Sequence, residues 1–261
     1  MNRNERQSHV ADLIVENGSI LVEELVRKFG VSPATARRDL DELAHQQFIV
    51  RTHGGAALAP STGALPLRYR SARMGAEKRR IAEAAVAMLR PGDVVAMNGG
   101  TTTTEIAQEL GAHAASDNRF DTDSITVVTN AVNIAYELSV REEVQVVVTG
   151  GVARSRTYEL IGPLTSLVLP AIDIHTVFIG ADSISAEHGV LTQHDGEAAV
   201  GAALIQAASR VVLVADHTKF TTRSFARICD LNEIDLVITD SGLDPEIAET
   251  IRAAGPSLTL V

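Results

Sequence analysis

Residues 31–55 read VSPATARRDLDELAHQQFIVRTHGG, and the order of signals in this stretch decides the fold of the N-terminal part of the chain. Ser32 is placed to cap the orphan N–H groups of a new helix, with Pro33 at the first helical position, where a missing N–H costs nothing. Ala36, Leu40 and Leu43 recur at i, i+4 and i+7 and form the inward stripe. Thr35, Arg37 and Arg38 are left on other faces near the helix start. Phe48-Ile49-Val50-Arg51-Thr52 follows as a β-prone run closing at Gly54-Gly55.

Upstream, Val10, Leu13, Ile14 and Val15 mark one helix, broken at Asn17-Gly18-Ser19. Val22, Leu25, Val26 and Phe29 mark a second, which stops at Gly30. Three helices followed by a basic hairpin are the order of a winged helix-turn-helix, whose reading helix enters the major groove by its N-terminal end. Paired arginines alone are usually solvated surface, and Asp39, Asp41 and Glu42 nearly cancel these two. The ordered combination of cap, helix, wing and His-Gly-Gly favours DNA contact. Arg37 and Arg38 suit guanine or phosphate, Ser32 and Thr35 suit phosphate, and Arg51 and His53 can hold the backbone from the wing.

The net charge of −10 over 261 residues runs against a DNA binder until it is divided along the chain. Residues 1–80 carry 13 Lys and Arg against 9 Asp and Glu, a net of +4, while residues 81–261 carry 10 against 24, a net of −14. Phosphate attraction is local, screened within roughly 8 Å at physiological salt, so a basic module can bind DNA while an acidic domain points away. The single cysteine, Cys229, rules out an internal disulfide framework and fits a reducing compartment. Neither CxxC nor HExxH is present, and His188 and His194 near Asp195 read as a polar loop, so no metal or cofactor is expected. With no bilayer-length apolar run and no signal-peptide pattern, a cytoplasmic protein without a membrane partner is expected.

Residues 57–75 are rich in Ala, Pro, Gly and Ser and read as a linker, basic at Arg68, Arg70 and Arg73. Beyond it, an amphipathic helix over Glu77–Arg90 precedes short Val and Ile runs alternating with helical segments: 94–98, 125–130, 144–149, 176–182, 211–216 and 236–240. That alternation predicts an α/β domain with a mainly parallel sheet covered on both faces. Such sheets bind ligands beyond the carboxyl ends of their strands. Here those ends are polar: Asn98-Gly99-Gly100-Thr101-Thr102-Thr103, Thr129-Asn130, Gly150-Gly151 with Arg154, Gly180-Ala181-Asp182, and Asp216 with Lys219. Glycines with hydroxyls and free helix N–H groups suit a phosphate. Neither Walker A nor G-x-G-x-x-G occurs, which disfavours nucleotide cofactors.

The pattern S-x-x-T-x-R-R-D-L-x-x-L followed by R-x-H-G-G-A, over residues 4–56, resembles the DNA-binding signature of DeoR-family bacterial transcriptional regulators. The later series G-T-T, V-T-N, G-G, F-I-G-A-D and A-D-H-T-K-F, over about residues 76–255, resembles the effector domain of the same family, which is similar to ribose-5-phosphate isomerase. The resemblance implies a winged helix-turn-helix over 1–56, a linker over 57–75 and an effector-binding and oligomerisation domain over 76–261. By motif, Gly100, Thr101, Thr102 and Thr103 hold a phosphate, Asn130, Asp182 and Glu197 address sugar hydroxyls, and Arg154, Lys219 and Lys78 supply positive charge. The chain departs from the family pattern at Ala36, where a branched apolar residue is usual, at Gln47, where glycine is usual, and at Gly201, where many members have lysine.

Two functions follow from this reading. The first is a sequence-specific regulator, a repressor of a carbohydrate-utilisation operon, bound to duplex operator DNA as a dimer or tetramer and modulated by a phosphorylated sugar. The second is a sugar-phosphate isomerase with Asp182 or Glu197 as general base, carrying a DNA-binding module. The DNA-binding signature and the absent lysine at 201 favour the non-enzymatic regulator.

Overall fold

The computed structural model describes residues 3–45, 49–58, 67, 74–117, 120 and 123–261. The chain forms two compact units, Met1–Arg73 and Met74–Val261. The first comprises α1 (Arg3–Asn17), β1 (Ser19–Leu21), α2 (Val22–Phe29), α3 (Pro33–His45), β2 (Ile49–Thr52) and β3 (Gly55–Leu58). Ser32 caps α3 by accepting the Thr35 N–H at 3.1 Å, and Gly30 ends α2 in the left-handed region at φ +63°. Ala36, Leu40 and Leu43 are buried with Val10, Ile14 and Leu25 in one apolar cluster. The small side chain of Ala36 is accommodated there without loss of burial.

The wing has one strand more than the sequence suggests. Ser19, read only as part of a helix break, opens β1, which pairs antiparallel with β3 in the order β1-β3-β2. Ala57 and Leu58, assigned to the linker by composition, complete β3 instead, because they pair with Val50 and Ile49 across the hairpin. Gln47, Phe48 and the linker arginines Arg68, Arg70 and Arg73 lie outside the described residues. The two wing glycines have different reasons. Gly54 turns the hairpin at φ +85°, whereas a Cβ on Gly55 would fall on the Ile20 carbonyl oxygen of β1.

The second unit runs α4 (Gly75–Val86), β4 (Val94–Met97), α5 (Thr101–Ser116), β5 (Ile125–Thr129), α6 (Val132–Leu138), β6 (Val144–Val148), β7 (Val152–Ala153), β8 (Leu160–Ile161), β9 (Ile174–Ile179), β10 (Ser183–Ser185), β11 (Gly189–Thr192), α7 (Asp195–Gln206), β12 (Ala208–Val214), β13 (Ala226–Cys229), β14 (Leu236–Thr239), α8 (Pro245–Ala253) and β15 (Ser257–Leu260). Among the described residues, the main sheet has the order β15-β14-β12-β9-β4-β5-β6, with every pairing parallel. Successive residues feed opposite faces: Val211 and Leu213 enter one core cluster, while Val212 and Val214 enter the other. Burial on both faces is why these strands are near-continuous Val and Ile.

The chain leaves β4 toward β5 on one side and later returns through β9 on the other, so the topological switch lies between β4 and β9. Besides the short β7–β8 pair, two features were not legible as strands. The C-terminal run forms β15, and β10, β11 and β13 build a small antiparallel sheet beside the main one.

The crowding at Gly55 generates a test. Gly55→Ala forces β1 and β3 apart, and overpacking of this kind typically costs about 1–3 kcal/mol. Thermal unfolding of the N-terminal unit should shift down by that amount while the Met74–Val261 unit melts unchanged, as read by calorimetry on the full chain.

Candidate DNA-contact face and effector crevice

On the N-terminal unit, Arg37 and Arg38 are exposed on α3. Two of the three nearby acids, Asp39 and Asp41, are committed to other cations. Asp39 is 2% exposed and accepts the Arg6 Nε–H at 2.7 Å, tying α3 to α1; donating to this buried carboxylate raises the guanidinium pKa of Arg6. Asp41 pairs with Arg51 Nε at 3.1 Å, so the wing cation expected on phosphate is held against α3. Ser32 and Thr35 hydroxyls hydrogen-bond each other at 2.9 Å, and His53 is exposed beside the Gly54 turn. A groove of about 800 Å³ lined by Leu13, Ile20, Glu24 and Lys28 among others lies on this unit, and no expected contact residue lines it.

In the second unit, the strand ends are joined by one hydrogen-bond network. Asn98, after β4, donates to the Gly180 carbonyl at 3.0 Å and accepts the Gly180 N–H at 2.8 Å. This side chain, expected to touch ligand, spends both ends on clamping β4 to β9. Gly99 donates its N–H to Glu159 Oε1 at 3.0 Å, and a Cβ there would overlap the Glu159 side chain. Asn130 Nδ2 donates to the same oxygen at 3.3 Å and to the Leu160 carbonyl at 3.1 Å, while its buried Oδ1 has no partner among the described residues.

Gly100 precedes α5, whose N-terminus has no side-chain cap. Thr103 is fully buried and its hydroxyl donates to the Gly100 carbonyl at 3.2 Å, so this side chain is spent within the turn. Thr102 is also buried and Thr101 is half-buried. The orphan N–H groups of that first turn, with the positive end of the helix dipole, are suited to an anion.

Glu197, 7% exposed in the first turn of α7, is held from three sides. It accepts the Thr157 hydroxyl at 2.8 Å and stands 3.1 Å from Arg154 Nε. The Thr192 hydroxyl lies 3.1 Å from Glu197 Oε2 and 3.0 Å from Asp182 Oδ2; with one hydrogen it serves only one carboxylate at a time. Asp182 also accepts the Gln193 N–H at 3.2 Å. Lys219, in the turn His217–Thr221 after β12, is half-exposed and pairs with no carboxylate among the described residues. Its neighbour Thr222 donates to the Asp182 carbonyl at 2.9 Å, which binds this turn to the end of β9.

Two expected residues, Gly151 and Lys78, and the departure at Gly201 have constraints of their own. Gly151 is structural, since a Cβ there would press on Thr165 and the Ile161 carbonyl. Lys78 is 2% exposed on α4 and already engaged by neighbours. Gly201 faces Ile228 of β13, where any side chain would start inside the core. His194, read as part of a polar loop, caps α7 by accepting the Gly196 N–H at 3.0 Å.

Glu159 escaped the sequence reading. It is 4% exposed; burial first, then the neighbouring Glu197 carboxylate, push its carboxyl up to about 8. The available signal was isolation: Glu159 is the one charged residue between Arg156 and Asp173. A second missed pair is His217 and Asp240, 2.7 Å apart. Burial would raise Asp240, but hydrogen bonds from the His217 backbone and ring and from Gly242 outweigh it and hold that carboxylate below its usual range.

The DeoR-like helix-turn-helix domain model matches residues 6–62, and the DeoR C terminal sensor domain model matches residues 73–241. The chain is 36% identical over 252 residues to the HTH-type transcriptional regulator GlpR of Haloferax volcanii, covering 96% of this chain and 95% of that protein. It is 32% identical over 241 residues to the glycerol-3-phosphate regulon repressor of Escherichia coli strain K12, covering 92% of each. Among solved structures, ribose 5-phosphate isomerase A from Methanocaldococcus jannaschii matches 56% of this chain and 55% of that one at 17% identity, with a TM-score of 0.42. No helix among the described residues is long and apolar enough to cross a membrane.

The buried acid makes a pH prediction. A glutamic acid titrates at 4.5 when unfolded and this one at about 8 when folded, so the folded state holds the proton more tightly. Its stabilising contribution is full below the lower value and is lost as pH rises through the upper one. Glu159→Gln keeps an acceptor for the Gly99 N–H but cannot ionise. Between those two values the melting temperature of the Met74–Val261 unit should decline more steeply with pH in the wild type than in the variant. Parallel curves would mean that Glu159 does not carry this proton.

Proposed function

The chain belongs to the DeoR family of transcriptional regulators, and from that membership we propose a homo-oligomeric repressor of a carbohydrate-utilisation operon, released from or held on its operator by a phosphorylated sugar. On the DNA side, the supporting observation is that Arg37 and Arg38 are exposed on α3 while Asp39 and Asp41 are committed to Arg6 and Arg51. Their positive charge is left to the groove. Arg51 serves phosphate only by leaving Asp41, an exchange that costs little because exposed ion pairs contribute only about 0–1 kcal/mol.

On the effector side, the reading rests on an uncapped helix N-terminus and an unpaired lysine at the same edge of the sheet. The N–H groups from Thr101 to Thr103 bind the phosphate, and the Lys219 ammonium neutralises it. Sugar hydroxyls meet Asp182, Glu197 and the open acceptor Asn130 Oδ1. An anion that draws Arg154 away from Glu197 alters the strand ends to which that segment is tied, which supplies the differential affinity that a ligand-driven switch requires. One observation favours the enzymatic alternative: the buried Glu159 carboxyl, pushed up to about 8 by burial and by Glu197 beside it, makes with Glu197 a pair of carboxyls suited to acid–base chemistry.

Two experiments test this reading. Arg37→Ala or Arg38→Ala should cost about 1–3 kcal/mol at the specific operator without destabilising the second unit; unchanged affinity in both removes them from the interface. In a thermal-shift screen of phosphorylated sugars and polyols, a true effector at about 100 times its Kd should stabilise the wild type by roughly 2.7 kcal/mol. Lys219→Ala should lose that response and keep ligand-free operator binding. Turnover of a sugar phosphate that Lys219→Ala abolishes would instead establish the enzyme.

A further inference from the structure

Strand β6 closes one end of the main sheet, and among the described residues nothing pairs with its outer edge. Natural edge strands are guarded by charge, proline, a bulge or a cover, because their free N–H and C=O groups recruit other strands. The sequence of β6, Val144-Gln145-Val146-Val147-Val148, has no charge and no proline, and its register with β5 runs unbroken over five residue pairs. The opposite edge, β15, alternates polar Ser257 and Thr259 with leucines.

The surroundings of β6 are equally unguarded. In a unit of net charge −14 over residues 81–261, stretches 144–153 and 160–172 carry no charged residue. Val148, Val152, Leu164 and Leu167 are 44%, 70%, 57% and 70% exposed. The Thr165 hydroxyl donates to the Gly150 carbonyl at 3.2 Å and so brings the 163–166 turn to the end of β6. We infer that this edge is the self-association surface of the second unit, with β6 of one copy pairing antiparallel to β6 of a second copy about a twofold axis at Val146. The inference rests on the homo-oligomer reading above and gives it a location.

Backbone direction determines the register. Ile125 donates its N–H to the Glu143 carbonyl at 3.2 Å, and Thr149 donates its N–H to the Thr129 carbonyl at 3.1 Å, so odd-numbered residues face β5. Alternation turns Val144, Val146 and Val148 outward. Val144 has already given its N–H to the Arg141 carbonyl at 3.3 Å. With the axis at Val146, each Val146 donates to the other's carbonyl and each Val148 donates to Val144 of the second copy, which uses every outward N–H of the strand. The same register sets Glu143 opposite Thr149 and Glu142 opposite Gly150, so no carboxylates meet. A second copy is the occupant that needs this neutrality, since two domains of the same strong negative charge repel wherever their acids face each other.

The test uses the full chain and two substitutions. Val146→Lys sets two ammonium groups against each other on the axis, and sedimentation velocity at tens of micromolar should show the assembly dropping to a smaller species while the circular-dichroism spectrum stays that of the wild type. Val146→Cys should form a disulfide-linked dimer on diamide oxidation. Directly opposed residues of a hydrogen-bonded antiparallel pair have Cα atoms about 5.5 Å apart, within the bridging range. The native Cys229 does not compete, being buried with a thiol pushed up to about 12. Phe225→Cys, at a site 79% exposed on a different segment, should not cross-link. A wild-type chain that is monomeric at these concentrations overturns both this interface and the oligomer reading. An assembly that survives Val146→Lys, or that cross-links at Phe225→Cys and not at Val146→Cys, overturns the interface alone. Should Val146→Lys misfold, the cysteine result decides by itself.

Discussion

The second unit depends on the clamp at the topological switch, where Asn98 exchanges two hydrogen bonds with the backbone of Gly180. Beyond their last ladder bonds, β4 and β9 have no backbone reason to stay together, and both groups are buried. A buried polar group left unpaired costs about 1–3 kcal/mol, so this exchange is strongly favoured over splaying of the strand ends. With the two ends locked, Gly99 lies against Glu159 and α5 starts from Gly100 with its N–H groups uncapped. Glu159 reaches both Asn130 and Glu197, and Glu197 reaches Thr192 and Arg154. The crevice is therefore a network in which few polar atoms are free. The two open features suited to a phosphorylated ligand, the α5 N-terminus and Lys219, flank it.

The same logic of committed charges governs the N-terminal unit. A helix carrying Arg37, Arg38, Asp39, Asp41 and Glu42 has little net charge by counting, yet the counting misleads. Asp39 is drawn inward by Arg6 and Asp41 sideways by Arg51, which separates the signs in space. Removing a partner such as Arg6 would leave a buried carboxylate unpaired, a loss typically of several kcal/mol. The fold of this unit and the exposure of Arg37 and Arg38 are thus coupled through an ion pair that includes neither of them.

The sequence was most informative where a periodic or capping signal is local. Ser32, Pro33 and the stripe of Ala36, Leu40 and Leu43 placed α3, and continuous Val and Ile runs placed the central strands, because burial on two faces leaves no room for alternation. It was least informative where a residue's role depends on what lies across from it. Asn98 and Gly151 look like ligand contacts in a list of polar strand ends; one is a clamp and the other makes room for Thr165 and Ile161. Gly201 looks like a missing lysine, but its Cα faces Ile228. Glu159 was overlooked because it belongs to no motif, and β1 because three residues carry too little pattern to be read as a strand.

By itself the sequence determined the class of each unit, the helix that carries the exposed arginine pair and the sheet edge on which the polar strand ends gather. These follow from hydrophobic period, caps and glycines, which act over a few residues along the chain. Only the tertiary structure decided which charges are spent and which remain available. Arg51 is spent on Asp41 and Glu197 is shared among Arg154, Thr157 and Thr192, whereas Lys219 has no carboxylate partner among the described residues. The physical reason is that pairing and desolvation are properties of neighbours in space, and the ionic partners that settle them stand 10 positions apart in the chain for Asp41 and Arg51 and 43 for Arg154 and Glu197.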